Sequence, residues 1–233
     1  MITAWGRVSG LRSVLKTDLF EEANGKDQLL FDSFQQVPLV VGIDIDEAVA
    51  GDALRRSVGS GMLALVGDVR DLPFRDGCLD YVISTSTLDH FEDSREIERS
   101  LRELARVLRE GGRILVALDN PWNLLYHVLR IVSRAPRFPF RLGKTLSRTQ
   151  LEECLSRCDL VVLGGETVIH NPRLISTLFF LLLRRLLGRF SDRPIGWLLA
   201  GFGLMRHLPS RQITGCFVAV CAEKPSGIRA PVL

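Results

Sequence analysis

Short, continuous apolar segments alternate with amphipathic segments through the first half of the chain. The apolar segments LVVGI (39–43), LDYVIS (79–84) and RILVAL (113–118) contain few polar residues, as expected of strands that are covered on both faces. Apolar residues recur at helical spacing in the segments between them. This alternation predicts a parallel sheet with helices on both sides, and right-handed crossovers then give a doubly wound α/β fold.

The same pattern sets the approximate bounds of the elements. We predict strands over about 12–20, 39–43, 62–66, 79–84 and 113–118, and helices over about 26–35, 46–57 and 94–108. The last of these helices is the best marked, because Asp93 or Ser94 can cap its start and Gly111–Gly112 can end it. A capped helix and a strand are predicted within residues 145–170, and TGCFVAVCAEKP (214–225) predicts a final strand.

Charge divides the chain into two parts. Residues 1–120 contain 14 Lys and Arg against 21 Asp and Glu, a net charge of −7, whereas residues 121–211 contain 14 against 5, a net charge of +9. With 46% hydrophobic and 24% charged residues the chain is globular in composition. Its length predicts a single domain over residues 1–233. Within it, residues 172–210 form a basic, apolar helical insertion.

Several kinds of protein are disfavoured by the sequence. The five cysteines show neither a CxxC pair nor a Cys/His metal spacing, so no metal site is expected and the thiols are expected to be reduced, as in a cytoplasmic protein. The first ten residues, MITAWGRVSG, lack the apolar run of a signal peptide. No stretch of about 18 apolar residues is present, so a simple membrane-spanning helix is not expected.

Two acidic residues mark a candidate binding site at the ends of neighbouring predicted strands. Asp44 closes the strand in VVGIDID, and Asp68 opens GDVRDLPF directly after the next strand. Ligands of open α/β sheets bind at the carboxyl ends of the strands. Ionised carboxylates accept hydrogen bonds from the hydroxyl and amino groups of a nucleoside. Asp46 can cap the following helix.

Two segments resemble signatures of the class I S-adenosylmethionine-dependent methyltransferases, in particular methyltransferase type 11. They are GDVRDLPFRDGCLDYVIS and RELARVLREGGRILVAL. The resemblance covers roughly residues 12–120 and returns at the C-terminus. It implies a Rossmann-like, mostly parallel seven-stranded sheet with a helical insertion before an antiparallel last strand. It also implies S-adenosylmethionine as the cofactor. By this resemblance Asp44 would accept both ribose hydroxyls, Asp68 the adenine amino group, and Val69 would lie against the adenine ring.

The family's glycine-rich first motif is degenerate in this chain. SVLKTDLFEEANGKDQLL contains a single glycine, and it can be set against the motif in two registers. One register puts Lys16 where the family has an acid that holds the ammonium group of the cofactor. The other, which we prefer, puts Glu21 in that place and Gly25 at one of the glycines. Asp18 is a further candidate for the ammonium group.

The predicted reaction pocket begins at Ser84, at the end of the fourth strand, and His90 in STSTLDH is a weak candidate for a general base. The predicted function is methyl transfer to a small or amphipathic, lipid-like acceptor. A non-catalytic scaffold or partner subunit with the same fold is the main alternative, and the degenerate first motif favours it. A nicotinamide-dependent oxidoreductase is less favoured, because neither G-x-G-x-x-G nor Tyr-x-x-x-Lys occurs.

The basic insertion has two interpretations that remain open. The segment TLFFLLLRRLLGRF is followed by a predicted hinge at Ser191–Pro194, and residues 171–211 contain seven arginines against one acid. A helical lid or helix pair packed on the core is one interpretation. A segment that lies in an anionic membrane surface through residues 172–210, with peripheral attachment of a cytoplasmic protein, is the other. Nucleic acid is not an expected partner, because the segment is too apolar and has too few aromatic residues.

Overall fold

Seven strands form one sheet at the centre of the computed structural model. In chain order they are β1 (Ser13–Thr17), β2 (Leu39–Asp44), β3 (Met62–Val66), β4 (Leu79–Thr85), β5 (Leu108–Asp119), β6 (Val161–Val168) and β7 (Phe217–Glu223). Their order across the sheet is β3-β2-β1-β4-β5-β7-β6. The pairs from β3 to β5 are parallel, whereas β7 pairs antiparallel with both β5 and β6. The predicted Rossmann-like, mostly parallel seven-stranded sheet is therefore confirmed.

Helices connect the strands and cover the sheet. They are α1 (Phe20–Asn24), α2 (Glu47–Arg56), α3 (Ser94–Val107), α4 (Tyr126–Val132), α5 (Arg148–Ser156), α6 (Asp192–Leu204) and α7 (Arg211–Thr214), with a 3₁₀ helix at Leu88–His90. The structure describes residues 10–25, 30, 33–123, 125–135, 142–170, 179, 182–183, 185, 188, 192–204 and 208–227.

Side-chain caps fix the starts of three helices, as their sequences predicted. The carboxylate of Asp46 accepts hydrogen bonds from two backbone amides of α2, and Asp93 accepts one from Arg95 in α3. Ser147 and Gln150 form a reciprocal capping box at the start of α5. The expected end of α3 is different, because the helix stops at Val107 and Gly111–Gly112 already belong to β5.

The core lies on both faces of the sheet. One cluster contains Leu15 and Val82 together with apolar residues of α3 and α5, and the other contains Val14 and Ile83 together with residues of α1 and α2. Consecutive residues of one strand thus enter opposite clusters, which is why the strand sequences are continuously apolar. All five residues of β1 are buried.

Some sequence predictions differ from the structure, and others lie mostly outside the described residues. The first strand ends at Thr17 rather than near residue 20. Most of the predicted helix over 26–35 and most of the apolar run in 178–190 lie outside the described residues. Of the expected hinge at 191–194, Ser191 lies outside the described residues. The other three residues belong to helix α6, which begins at Asp192 and includes Pro194 in its first turn, where proline is tolerated. No helix within the described part of the chain is both long and apolar enough to cross a membrane.

Candidate active site

The chain order of the strands reverses between β1 and β4. From β1 the sheet continues to β2 and β3 on one side, and from β4 it continues to β5 on the other. Loops leave the carboxyl ends of β1 and β4 in opposite directions, and this switch point is where open α/β sheets bind ligands. The predicted site residues Asp18, Asp44, Asp68 and Ser84 all follow or end strands at this edge of the sheet.

Asp44 ends β2 and holds the loop that follows β1. Its Oδ2 accepts a hydrogen bond from the backbone N–H of Leu19 at 2.8 Å, and its Oδ1 accepts one from Asp46 at 2.9 Å. Because Asp46 caps α2, Asp44 is not needed as the cap. Each carboxylate oxygen can accept more than one hydrogen bond, so Asp44 retains acceptor capacity toward a ligand.

Asp18 lies directly beyond β1 in a left-handed backbone conformation, with φ of 67°. Its Oδ1 accepts a hydrogen bond from the backbone N–H of Phe20 at 2.8 Å. Burial raises the pKa of Asp18 to about 6, while the charges of Lys16 and His90 act in the opposite direction and that of Asp44 in the same direction. The loop thus brings a desolvated carboxyl group into the electrostatic range of both Asp44 and His90.

The preferred register of the first motif is wrong. Glu21 lies in helix α1 and not at the end of β1, and Gly25 forms the left-handed C-cap of that helix, with its N–H donated to the carbonyl of Glu21 at 3.0 Å. Lys16 is the penultimate residue of β1 (SVLKT). This agrees with the other register, which places Lys16 at the end of the strand. Glu21 and Gly25 therefore do not form the turn that follows the strand, and Asp18 takes that position.

Lys16 is buried together with Glu22. The Nζ atom of Lys16 lies 2.8 Å from Oε2 of Glu22, and their side chains are 2% and 0% exposed. Lys16 also donates a hydrogen bond to the backbone carbonyl of Asp18. The other carboxylate oxygen of Glu22, Oε1, is buried and has no partner among the described residues. An internal ion pair therefore stands where the family has an acid at the end of β1.

A glycine in β2 fixes the same loop from its other side. A β-carbon added at Gly42 would overlap the Leu19 side chain, which is fully buried. Leu19 is thus held twice, by its backbone amide on Asp44 and by its side chain against Gly42. These two contacts set the position of Asp18, the residue immediately before it.

Asp68 follows β3 and is engaged by Arg70. Both oxygens of the carboxylate accept hydrogen bonds from the guanidinium group, and this bonding lowers the pKa of Asp68. Arg70 also pairs with Glu96 and lies over the ring of Phe91 at 5.1 Å from its centroid. The Val69 side chain is buried in the core.

The floor of the site at the end of β4 is built from hydroxyl groups. The Thr17 hydroxyl donates to Ser84 Oγ at 3.0 Å, and the Thr17 and Thr87 hydroxyl oxygens are 2.6 Å apart. Ser84 and Thr17 are each 1% exposed. Ser84 is therefore buried at this end of β4, and Thr85 and Thr87, which are partly exposed, are its more accessible neighbours.

The 3₁₀ helix after β4 carries one exposed and one buried titratable group. His90 is exposed, and its charge acts on both Asp18 and Asp89. Asp89 is 3% exposed, and its Oδ2 accepts a hydrogen bond from the backbone N–H of Asp119 at 3.0 Å. Burial raises the pKa of Asp89. Asp89 thereby ties the 3₁₀ helix to the end of β5.

Sequence reasoning missed three features of this edge. Ile45 lies between Asp44 and Asp46 and is 69% exposed, which is unusual for an isoleucine beside a buried strand. The pair Lys16–Glu22 and the buried Asp89 were also not anticipated as structural parts of the site. An apolar residue directly after Asp44 was the available signal for Ile45. Within the described residues no group of three or more His, Cys, Asp or Glu side chains is placed to hold a metal ion.

Residues 23–116 match the sequence model of the family described as Methyltransferase domain. A protein of Encephalitozoon cuniculi named as a methyltransferase is 38% identical over 80 residues, 34% of this chain and 37% of that protein. Human probable tRNA methyltransferase 9B is 39% identical over 56 residues, 24% of this chain and 12% of that protein. The chain therefore spans well under half of the length of these curated relatives.

Solved structures extend the similarity of fold to nearly the whole chain. A SAM-dependent methyltransferase from Methanosarcina mazei superposes with a TM-score of 0.63 at 15% identity, covering 97% of both chains. Phosphoethanolamine N-methyltransferase 2 of Haemonchus contortus, in complex with S-adenosyl-L-methionine, gives a TM-score of 0.62 at 18% identity, covering 97% of this chain and 51% of that one. The cyclase SpnF gives 0.60 at 18% identity, covering 97% and 79%.

The strand order, the switch-point site and the family match over residues 23–116 are those expected of a class I methyltransferase domain. The match to this family covers residues 23–116 and supports the family expected from the sequence. The match supports S-adenosylmethionine as the cofactor. The first motif is degenerate in this chain, and Lys16 forms a buried ion pair with Glu22 near the end of β1.

Proposed function

We propose that this protein transfers a methyl group from S-adenosylmethionine to an amphipathic acceptor. The observation that carries the proposal is the position of three carboxyl groups, Asp18, Asp44 and Asp68, at the carboxyl ends of the neighbouring strands β1, β2 and β3. The hydroxyl, amino and ammonium groups of the cofactor are all hydrogen-bond donors, and carboxylates accept such bonds well. The hydrogen-bond donors of the cofactor and the three carboxylates of the chain are therefore chemically complementary.

Each carboxylate has a distinct role in this proposal. Asp44 would accept the ribose hydroxyls, because its two oxygens already point to the loop of β1 and to α2 and still have capacity. Asp68 would accept the adenine amino group in competition with Arg70, which holds both of its oxygens. Asp18 would take the ammonium group, since Lys16 puts a positive charge where the family has an acid. A cation at Asp18 would also stabilise the ionised form of that carboxyl.

Methyl transfer would take place at the carboxyl end of β4, which we call the reacting edge. The cofactor supplies a methyl group on a sulfonium, so the chain mainly has to align the acceptor and exclude water. Thr85 and Thr87 line this end above the buried Ser84 and Thr17. His90 is the candidate general base for a hydroxyl acceptor, and it would be unnecessary for an acceptor that is already nucleophilic.

Titration calorimetry with S-adenosylmethionine and S-adenosylhomocysteine tests the cofactor site directly. We expect the wild type to bind both, and Asp44→Ala to bind them about 10–100-fold more weakly, because hydrogen bonds to charged groups contribute about 1.5–3 kcal/mol. Asp52→Ala is the matched control, since Asp52 is an exposed carboxylate in α2 that pairs with Arg55. It should bind as the wild type does. A folded wild-type protein that binds neither compound would instead support the scaffold alternative.

The amphipathic acceptor and the membrane surface form the second part of the proposal. Exposed apolar side chains occur on the helices that follow the signature-bearing half, including Trp197 (78% exposed) on α6 and Ile131 (72%) on α4. Residues 121–211 carry a net charge of +9. Apolar groups beside an excess of arginine favour the surface of a bilayer that contains anionic lipid.

Cosedimentation with vesicles tests this contact. We expect the protein to bind vesicles that contain phosphatidylglycerol, to bind pure phosphatidylcholine less, and to be released by salt. Trp197→Asp should reduce binding, whereas Val58→Asp should not, because Val58 is equally exposed but follows α2 in the acidic half. Equal binding to neutral and anionic vesicles, or no binding at all, would leave the helical lid as the interpretation of the insertion.

A further inference from the structure

A cavity of about 290 Å³ opens at the carboxyl edge of the sheet, beyond the site described above. It lies where β5 and β6 end, β7 begins and α5 starts. Its wall includes Trp122, Arg148, Glu166 and Arg211. Nothing in the cofactor site uses these residues, and they come from four separate segments of the chain.

The wall of the cavity is rich in hydrogen-bond donors. Arg148 uses its Nε to contact Glu152 Oε1 at 2.6 Å, which leaves the two terminal nitrogens of its guanidinium group. Arg211 has no ion pair among the described residues, and its side chain is exposed. The hydroxyl groups of Ser147 and Thr149 also line the cavity. Arginine binds oxyanions such as phosphate and carboxylate through two parallel hydrogen bonds.

The surrounding backbone holds these arginines in place. A β-carbon at Gly165 in β6 would lie 3.0 Å from Arg148 Nε, so the guanidinium group packs closely against a glycine of the strand. Arg211 begins α7, and its backbone carbonyl accepts a hydrogen bond from the Thr167 hydroxyl at 3.0 Å. Strand β6 therefore contacts Arg148 through its guanidinium group and Arg211 through its backbone.

Asn120 and Trp122 form the opposite side. Asn120 is fully buried and donates its side-chain amide to the carbonyl groups of Gln212 and Gly215, at 2.7 and 2.8 Å. Its Oδ1 accepts the backbone N–H of Trp122 at 3.0 Å. The indole of Trp122 is nevertheless 68% exposed. A rigid turn thus presents an aromatic ring beside two arginines.

The position of the cavity relates it to the reacting edge. β7 and β6 are two and three strands away from β4, and neighbouring strands are about 4.8 Å apart. The cavity is therefore roughly 10–14 Å from the end of β4 along the same edge of the sheet. A single elongated molecule can span that distance.

We propose that this cavity binds the oxyanion end of the methyl acceptor, a phosphate, sulfate or carboxylate group that Arg148 and Arg211 hold while an apolar or planar portion lies against Trp122. The proposal deepens the proposed function and rests on it. It restricts the acceptor to an elongated anion whose methylated atom is some 10–14 Å from the charged group. Glu166 opposes the anion and limits its affinity.

Binding of phenyl phosphate, followed by ligand-observed NMR and calorimetry, tests the site without any need for turnover. We expect a dissociation constant below about 1 mM for the wild type and at least a tenfold weaker one for Arg148→Gln/Arg211→Gln. Glu166→Gln should change affinity in the opposite direction and strengthen binding. The pair Arg55→Gln/Arg102→Gln is the matched control, because it removes two exposed arginines on α2 and α3.

The outcomes separate the two proposals. If the double variant binds phenyl phosphate as the wild type does, or if neutral benzyl alcohol binds equally well, the anion site is refuted. In that case normal binding of S-adenosylhomocysteine would leave the cofactor site intact. If the wild type binds no S-adenosylhomocysteine, the proposed function fails, and the assignment of the cavity to an acceptor fails with it.

Two further measurements identify the source of the oxyanion and check the fold. Loss of cosedimentation with phosphatidylglycerol vesicles in Arg148→Gln/Arg211→Gln would assign the anion to a lipid headgroup. Unchanged cosedimentation with weakened phenyl phosphate binding would assign it to a soluble molecule. Arg148→Lys/Arg211→Lys should melt as the wild type does and keep part of the affinity, since the charges remain but the two-pronged geometry is lost.

Discussion

Replacing Lys16 by methionine is the sharpest test of the structure around the first strand. Lys16 and Glu22 are 2% and 0% exposed, with 2.8 Å between Nζ and Oε2. The substitution leaves a carboxylate in the core without its cation, and removal of one partner from a buried pair costs about 3–5 kcal/mol. The hydrogen bond from Lys16 to the carbonyl of Asp18 is lost as well. We therefore expect a loss of stability at the upper end of that range.

The double variant Lys16→Met/Glu22→Leu should recover most of that stability. Replacement of a whole buried ion pair by apolar residues of similar volume is often neutral or stabilising. One buried oxygen of Glu22 has no hydrogen-bond partner among the described residues. The cost of burying this carboxylate is therefore only partly offset, and its replacement by leucine favours the recovery. The coupling energy between the two substitutions should therefore be about 3 kcal/mol or more.

Urea unfolding of the wild type, both single variants and the double variant measures this coupling. Arg55→Met serves as a control, because the pair Arg55–Asp52 is 73% and 52% exposed and surface pairs contribute about 0–1 kcal/mol. If Lys16→Met unfolds within about 0.5 kcal/mol of the wild type, the buried pair does not exist in the folded protein. If the double variant is as unstable as the two single losses added together, the argument that the pair is costly is refuted.

Two further predictions concern pH and helix capping. Burial raises the pKa of Asp18 from 3.8 to about 6. Between these two pH values the folded protein keeps the proton on Asp18, whereas the unfolded chain has lost it. The free energy of unfolding therefore falls by up to roughly 3 kcal/mol as the pH rises from about 4 to 6. Asp18→Asn should therefore stabilise the protein at pH 7.5 and much less at pH 4.5 in urea unfolding, and a similar gain at both values would contradict the role of the charge. Asp93→Ala removes the cap of α3 and should cost about 1 kcal/mol, or a melting temperature lower by about 2–4 °C, whereas Asp93→Asn should melt within a degree or so of the wild type.

Much of the sheet could be predicted because its strands are local patterns. LVVGI and LDYVIS match β2 and β4 within one residue, and the cap at Asp46 depends only on the residues that follow it. The antiparallel last strand came from the family resemblance and not from periodicity. The local sequence was therefore enough to predict these strands and this helix start.

The first motif could not be predicted by the same reasoning. A lysine inside an otherwise apolar strand looked electrostatically wrong, and the preferred register moved the strand end to Glu21 to avoid it. The structure instead buries Lys16 with Glu22, the third residue of α1. Such a pair depends on where the chain reverses direction, and no spacing rule of a single strand contains that information.

The cavity near Trp122 was beyond sequence analysis for a similar reason. Its wall joins residues from five segments that lie up to 98 positions apart, from Asn120 to Val218. Each of these residues is ordinary in its own segment: an arginine at the start of a helix, a tryptophan in a loop. The grouping follows from the strand order β5-β7-β6, which brings the last strand between two that precede it.

The contact between Gly42 and Leu19 has a consequence for how this protein can change during evolution. Since the Leu19 side chain fills the space that a β-carbon at position 42 would need, a larger residue in β2 is acceptable only after position 19 has become smaller. Leu19 also anchors Asp44 through its amide, and it directly follows Asp18. Substitutions at positions 18, 19, 42 and 44 should therefore be inherited together, so that these four positions change as one unit among relatives that share this loop.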